Sequence, residues 1–198
     1  MDNFFKRTWA EINLDAIRHN YTEIKQSLNP DTKICCVVKA DGYGHGASFV
    51  AKELERIGAE WFAVSNLEEA IQLRRSGVEG NMLILGYTPP QEAARLHEMN
   101  ISQTVFSYEY GKELAEHAVA AGVQVKIHIK VDTGMSRIGF LYQVPERDAA
   151  VIDRSCPFVQ QFFPTSCRLC TSASLANCSE SSCFPKIEAI SESVSLST

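Results

Sequence analysis

Three observations in the sequence predict an α/β fold on a parallel sheet. Short apolar runs alternate with amphipathic stretches from about Thr8 to Phe140. The runs are dense in Val, Ile and Leu, as strands covered on both faces are. Capping residues and glycines punctuate the junctions at the places where helices start and stop. Regular alternation of this kind implies right-handed crossovers between parallel strands. A doubly wound open sheet and a closed barrel both satisfy the pattern.

The elements follow in order. Residues 1–13 form an N-terminal segment in which Thr8 to Ile12 reads as a short strand. Leu14, Ile17, Tyr21, Ile24 and Leu28 recur at helical spacing behind Asn13, a good N-cap. Ile34 to Lys39 is a buried strand, and Ala47 to Ile57 a helix closed by Gly58. Trp61 to Ser65 is the next strand. Asn66 and Glu69 have capping-box spacing ahead of a helix that Gly77 ends. Met82 to Gly86 is a strand, after which Thr88 and Gln91 give a second capping box with Pro89 at the first helical position and Asn100 at the exit. Gln103 to Phe106 is a strand, and Tyr108 to Ala121 a helix ended by Gly122.

The last strand spans Val123 to Val131, with apolar odd positions and Gln124, Lys126, His128 and Lys130 at the even ones. This amounts to five β/α steps, so residues 14–152 are read as one α/β domain. From about 153 the text changes. Residues 155–198 hold eleven serines and five cysteines with no sustained period. The segment 153–198 reads as a weakly ordered or out-of-frame tail. A zinc-binding interaction module on Cys167, Cys170, Cys178 and Cys183 is the weaker reading, because no strand or turn framework accompanies the cysteines.

Composition bounds the function classes. The chain has 198 residues, 45% hydrophobic and 22% charged, with a net charge of −5. That is enough for one domain with a real core. Mild acidity without a basic block argues against nucleic acid. Lys6 and Arg7 have no apolar stretch behind them, so neither a secretory leader nor a membrane span is expected, and the cytoplasm is the default location.

The chemistry concentrates at Lys39. The run Ile34-Cys35-Cys36-Val37-Val38 ends in this lysine, and Ala40-Asp41-Gly42-Tyr43-Gly44-His45-Gly46 follows. Chemistry gathers at the C-terminal ends of the strands in α/β barrels. Burial disfavours an ammonium and favours the nucleophilic amine. The plain alternative is a strand-end lysine that snorkels to solvent.

The text around Lys39 closely resembles the cofactor-lysine motif of the alanine racemase family. Lys130-Val131-Asp132-Thr133-Gly134-Met135-Ser136-Arg137-Ile138-Gly139-Phe140 is similar to the text after that family's fifth barrel strand, with Ser136 where glycine is frequent. The resemblance selects a partial (β/α)8 TIM-type barrel of about five units over the open sheet. It implies pyridoxal 5'-phosphate (PLP) held on Lys39 as a Schiff base, with Lys39 also a catalytic base, so that alanine's α-proton can be exchanged. It implies that Tyr43 binds the cofactor phosphate and that Arg137 lies beside the cofactor's phenolic oxygen and the substrate. It also implies a carbamylated Lys130, and parity in the strand supports that, since two neighbouring buried cations would be costly.

The alternatives are a loop tyrosine, a surface arginine and a Lys130 paired with Asp132. His45 is given no role. Leu85 and Met135 are pocket-like positions. No metal is expected, the partner is alanine, and the family form is a homodimer. No match to the family's second base is visible in this sequence, so little or no turnover is expected of the chain as written. A non-catalytic PLP-binding barrel protein is the rival, and the Ala-Asp-Gly-Tyr-Gly-His-Gly text speaks against it.

Overall fold

The computed structural model describes residues 9–141. The tail readings, the zinc reading among them, fall outside those residues.

Asn13 caps α1 (Leu14–Ser27) as expected, its side-chain oxygen accepting from the Ala16 N–H at 3.1 Å. Tyr21 is buried, while Ile24 and Leu28 at the far end of the apolar stripe stay exposed among the described residues. The strand expected from Thr8 is absent over residues 9–13, and Trp9 is 69% exposed. No neighbouring strand pairs with that segment, and a strand without a ladder partner has no hydrogen-bond reason to form.

Five strands then make one sheet: β1 (Cys35–Val37), β2 (Trp61–Val64), β3 (Asn81–Ile84), β4 (Ile101–Val105) and β5 (Ile127–Ile129). All four pairings are parallel, in the order β1-β2-β3-β4-β5. A doubly wound sheet reverses direction at a switch point. This one never does, so right-handed crossovers put the intervening helices on one side. The register agrees. Phe62, Val64, Met82, Ile84, Ile101, Val105 and Ile127 share the helix-facing side and are buried.

Cys35, Trp61, Leu83, Thr104 and His128 share the other side. Here the sheet shows its curvature. The rings of Trp61 on β2 and His128 on β5 meet edge to face with centroids 5.4 Å apart. Three strand spacings would separate them by about 14 Å on a flat sheet. The sheet is therefore an arc of a barrel, and this pair meets across its lumen.

The outer helices are α3 (Ala47–Arg56), α4 (Leu67–Arg75), α5 (Ala93–Glu98) and α6 (Tyr108–Ala120). Ser107 caps α6 by accepting from the Tyr110 N–H at 3.2 Å. The Thr88–Gln91 capping box does not form. The cap position falls on Pro89, which has no side-chain acceptor, and the helix starts one residue late as a 3₁₀ turn, Pro90–Glu92. The Thr88 hydroxyl is buried without a hydrogen-bond partner, and the Thr88 carbonyl accepts from Tyr110 Oη at 2.8 Å.

Strand β4 begins at Ile101, two residues earlier than expected, directly after Asn100 turns the chain at φ 52°. The expected strand 123–131 is broken. Only Ile127–Ile129 joins the sheet, and β6 (Val131–Asp132) pairs instead with β7 (Phe140–Leu141).

Candidate active site

After β1 the chain turns through α2 (Lys39–Tyr43), a single left-handed turn rather than a continued strand. Ala40, Asp41, Gly42, Tyr43 and Gly44 all have positive φ, between 52° and 85°. For each residue with a Cβ, that conformation costs about 1–2 kcal/mol. Such strain persists only where the surroundings over-determine it. Local bonds contribute. The Gly42 N–H donates to the Val38 carbonyl at 3.0 Å, and the Gly46 N–H donates to the Asp41 carbonyl at 3.0 Å. The Asp41 carboxylate accepts from the Ala47 N–H at 2.8 Å, which caps α3.

The turn delivers Lys39 to the C-terminal end of β1, half-buried, with its Nζ 6.0 Å from the centre of the Tyr43 ring. Tyr43 is 68% exposed. A Cβ on Gly44 would meet nothing within 4 Å, so the turn borders open space at Gly44. His45 Nδ1 lies 2.8 Å from the Gly42 carbonyl, which makes it a brace for the turn.

Lys130 follows β5 and is half-buried. Its N–H donates to the Val105 carbonyl, and its carbonyl accepts from the Phe140 N–H, both at 2.9 Å. The loop beyond is organised by buried Asp132, whose Oδ1 accepts from the N–H groups of Gly134 (2.9 Å) and Ser136 (3.0 Å). These backbone donors, Ser136 first, hold the carboxyl below its usual range, and the Lys130 charge adds to them. Ser136 sits at φ 57°, which explains why glycine suits that position.

Arg137 is exposed on this loop. The burial of Arg137 beside Lys130, on which the argument about two costly buried cations rested, is not found, since Arg137 is exposed. Among the described residues no group of three or more His, Cys, Asp or Glu could hold a metal ion.

Sequence reasoning missed one anchor. Asn66 caps α4 as expected, accepting from the Glu69 N–H at 2.9 Å. The Glu69 carboxylate, however, does more than close its own helix start, because one of its oxygens reaches the end of the neighbouring strand. Its Oε2 accepts from the Ser65 N–H and hydroxyl at 2.8 Å each, and its Oε1 accepts from the Ala40 N–H at 2.9 Å. The capping-box spacing was visible, but its long-range partner was not.

The donor set suits PLP. A primary amine can condense with an aldehyde, and a phenol with nearby cations suits a phosphate and a phenolate. Lys39 and Tyr43 stand together, while Lys130 and Arg137 come from the fifth strand end and its loop.

Comparison with known proteins shows the family. An alanine racemase of Desulfovibrio desulfuricans is 49% identical over 150 residues, 76% of this chain and 40% of that protein. A solved alanine racemase of Clostridium difficile 630, in complex with cycloserine, superposes with TM-score 0.71 at 41% identity, over 77% of this chain and 41% of its own. A histidine racemase of Leuconostoc mesenteroides subsp. sake superposes with TM-score 0.65 at 32% identity, over 73% and 38%. The chain spans 34–40% of the length of the first curated relatives it matches. Residues 12–162 match the family described as "Alanine racemase, N-terminal domain", and the arc of parallel strands with its lysine-bearing turn accordingly belongs to that family.

Proposed function

We propose that this chain supplies the cofactor-lysine part of an alanine racemase, in which Lys39 holds PLP and serves as one of the bases that exchange the α-proton of alanine. The observation that carries this reading is the strained left-handed turn that presents a half-buried Lys39 at a strand end, 6.0 Å from the Tyr43 ring. Bound PLP supplies an electron sink that makes the α-C–H acidic. Tyr43 binds the phosphate, and Arg137 faces the phenolic oxygen and orients the substrate. Lys130 is the carbamylated position carried by the resemblance, and an intact mass with and without bicarbonate tests it.

Alanine as substrate rests on the two motifs and on the relatives named alanine racemase, since a histidine racemase shares the fold. A homodimer, a cytoplasmic location and D-alanine supply to peptidoglycan complete the reading. No helix among the described residues is long and apolar enough to cross a membrane.

The test is absorbance of the chain with PLP, then borohydride reduction and peptide mapping. The expected result is an aldehyde-derived band at ~420 nm and label trapped preferentially on Lys39, with the band reduced to the level of the exposed lysines in Lys39→Ala. A folded chain without label at Lys39 overturns the reading. Racemisation assays with L-alanine and L-histidine then distinguish the substrates.

A further inference from the structure

Glu69 stands N-terminal in α4, three residues after its cap, where a glutamate ordinarily bonds back to the cap's own N–H. Its carboxylate instead spans two strand ends. One oxygen holds Ser65, directly after β2, by both the backbone N–H and the side-chain hydroxyl at 2.8 Å. The other accepts from the Ala40 N–H at 2.9 Å, across a separation of 29 residues.

That N–H belongs to the peptide bond joining Lys39 to Ala40. Fixing this peptide plane fixes the backbone on the C-terminal side of Lys39, and hence the direction in which its side chain leaves the sheet. The same peptide opens the left-handed turn, where Ala40 and Asp41 carry Cβ atoms at φ 52° and 53°. A charged acceptor makes the stronger class of hydrogen bond, which suits an anchor that must oppose strain. Gly86 packs close by. A Cβ there would lie 2.5 Å from the Ser65 carbonyl, so the end of β2 that carries Glu69's other partner is itself held tightly.

We propose that Glu69 is a positioning residue for Lys39: its carboxylate ties the Lys39–Ala40 peptide to the end of β2 and so aims the amine at the lumen mouth. The inference deepens the reading of Lys39 as the cofactor lysine and rests on it.

The test uses the full chain, PLP as the probe, and Lys52 and Lys112, both exposed, as internal references. After borohydride reduction, digestion and mass spectrometry, the ratio of label on Lys39 to label on the references measures aim rather than overall stability. In Glu69→Ala the ratio is expected to fall about tenfold, the factor that loss of one hydrogen bond to a charged acceptor supplies. Hydrogen exchange of the Ala40 amide should become fast in the same variant.

Glu69→Gln keeps the volume and the helix. Its single carbonyl oxygen can serve Ser65 or Ala40 but not both, and its NH₂ then faces a donor. Its ratio should fall between parent and alanine variant. It also decides the matter if the alanine variant does not fold.

A purely structural role would lower the unfolding midpoint and leave the labelling ratio at the parent value. That result, with the parent labelled at Lys39, overturns the inference alone. A parent chain without label at Lys39 overturns the cofactor reading and this inference with it.

Discussion

The two ends of the barrel arc are built on opposite terms. At the end where strands begin, polar groups are closely matched. The Arg74 guanidinium donates to the carbonyls of Val78, Gly80, Met99 and Asn100 at 2.8–3.0 Å, tying α4 to the entries of β3 and β4. Glu55 accepts from the N–H groups of Glu79 and Gly80, and Lys126 donates to Asn100 Oδ1 at 2.7 Å.

At the end where strands finish, the chain turns left-handed through residues with side chains. The Thr88 hydroxyl lies buried there without a partner, and Tyr43 projects into solvent. In barrels the first end serves stability and the second chemistry. The difference teaches where this chain departs from locally favourable structure, and strain of that kind gathers at functional sites.

The comparison can be broken from either side. Arg74→Ala should have the largest effect on stability, roughly 2–4 kcal/mol by urea unfolding, because several carbonyls lose their donor at once. Selective labelling of Lys39 by PLP should survive in the folded fraction. A comparable loss of selectivity would mean that the two ends are not separable.

Gly86→Ala should cost less, about 1–3 kcal/mol, through the 2.5 Å approach of the new Cβ to the Ser65 carbonyl. Unlike Arg74→Ala it should lower Lys39 labelling, since it displaces the strand end that Glu69 grips. Normal labelling in a destabilised Gly86→Ala would place this glycine on the stability side.

The smallest effect concerns the lumen. Burial lowers the His128 pKa below its ordinary 6.5, so the folded protein favours the neutral ring. The unfolded chain then binds the proton first, and stability is lost as pH falls below about 6.5 towards the folded value. The lowered Asp132 carboxyl acts in the same sense further down, below its ordinary 3.8. His128→Phe keeps a ring against Trp61 and should flatten the unfolding midpoint just below pH 6.5 while leaving the loss below the ordinary carboxylate value of 3.8. An unchanged slope would show that another group carries it.

Much of this was legible in sequence because it is local. Asn13, Asn66 and Ser107 cap helices through side chains a few residues from their partners, and apolar runs mark the strands. The alternation in the last strand placed His128 correctly on the lumen side. Errors fell where tertiary pairing overrides the local signal. Residues 9–13 have no ladder partner, the helix cap falls on Pro89 rather than Thr88, and the last strand breaks, with Val131 pairing with Phe140. Arg137, expected to be buried beside Lys130, is exposed on the loop that Asp132 organises through backbone bonds.

By itself, then, the sequence determined the α/β alternation, the caps at Asn13, Asn66 and Ser107, and the candidate lysine at a strand end, since periodicity, capping and motif text all act within a few residues. Periodicity alone left an open sheet and a barrel equally possible; the motif resemblance favoured the barrel, and the tertiary structure shows its arc. That arc lies in strand order and curvature, seen in the Trp61–His128 contact between strands that are not neighbours. Only the tertiary structure revealed Glu69 as the anchor of the Lys39 turn, because a hydrogen bond across 29 residues leaves no local pattern in the chain that makes it.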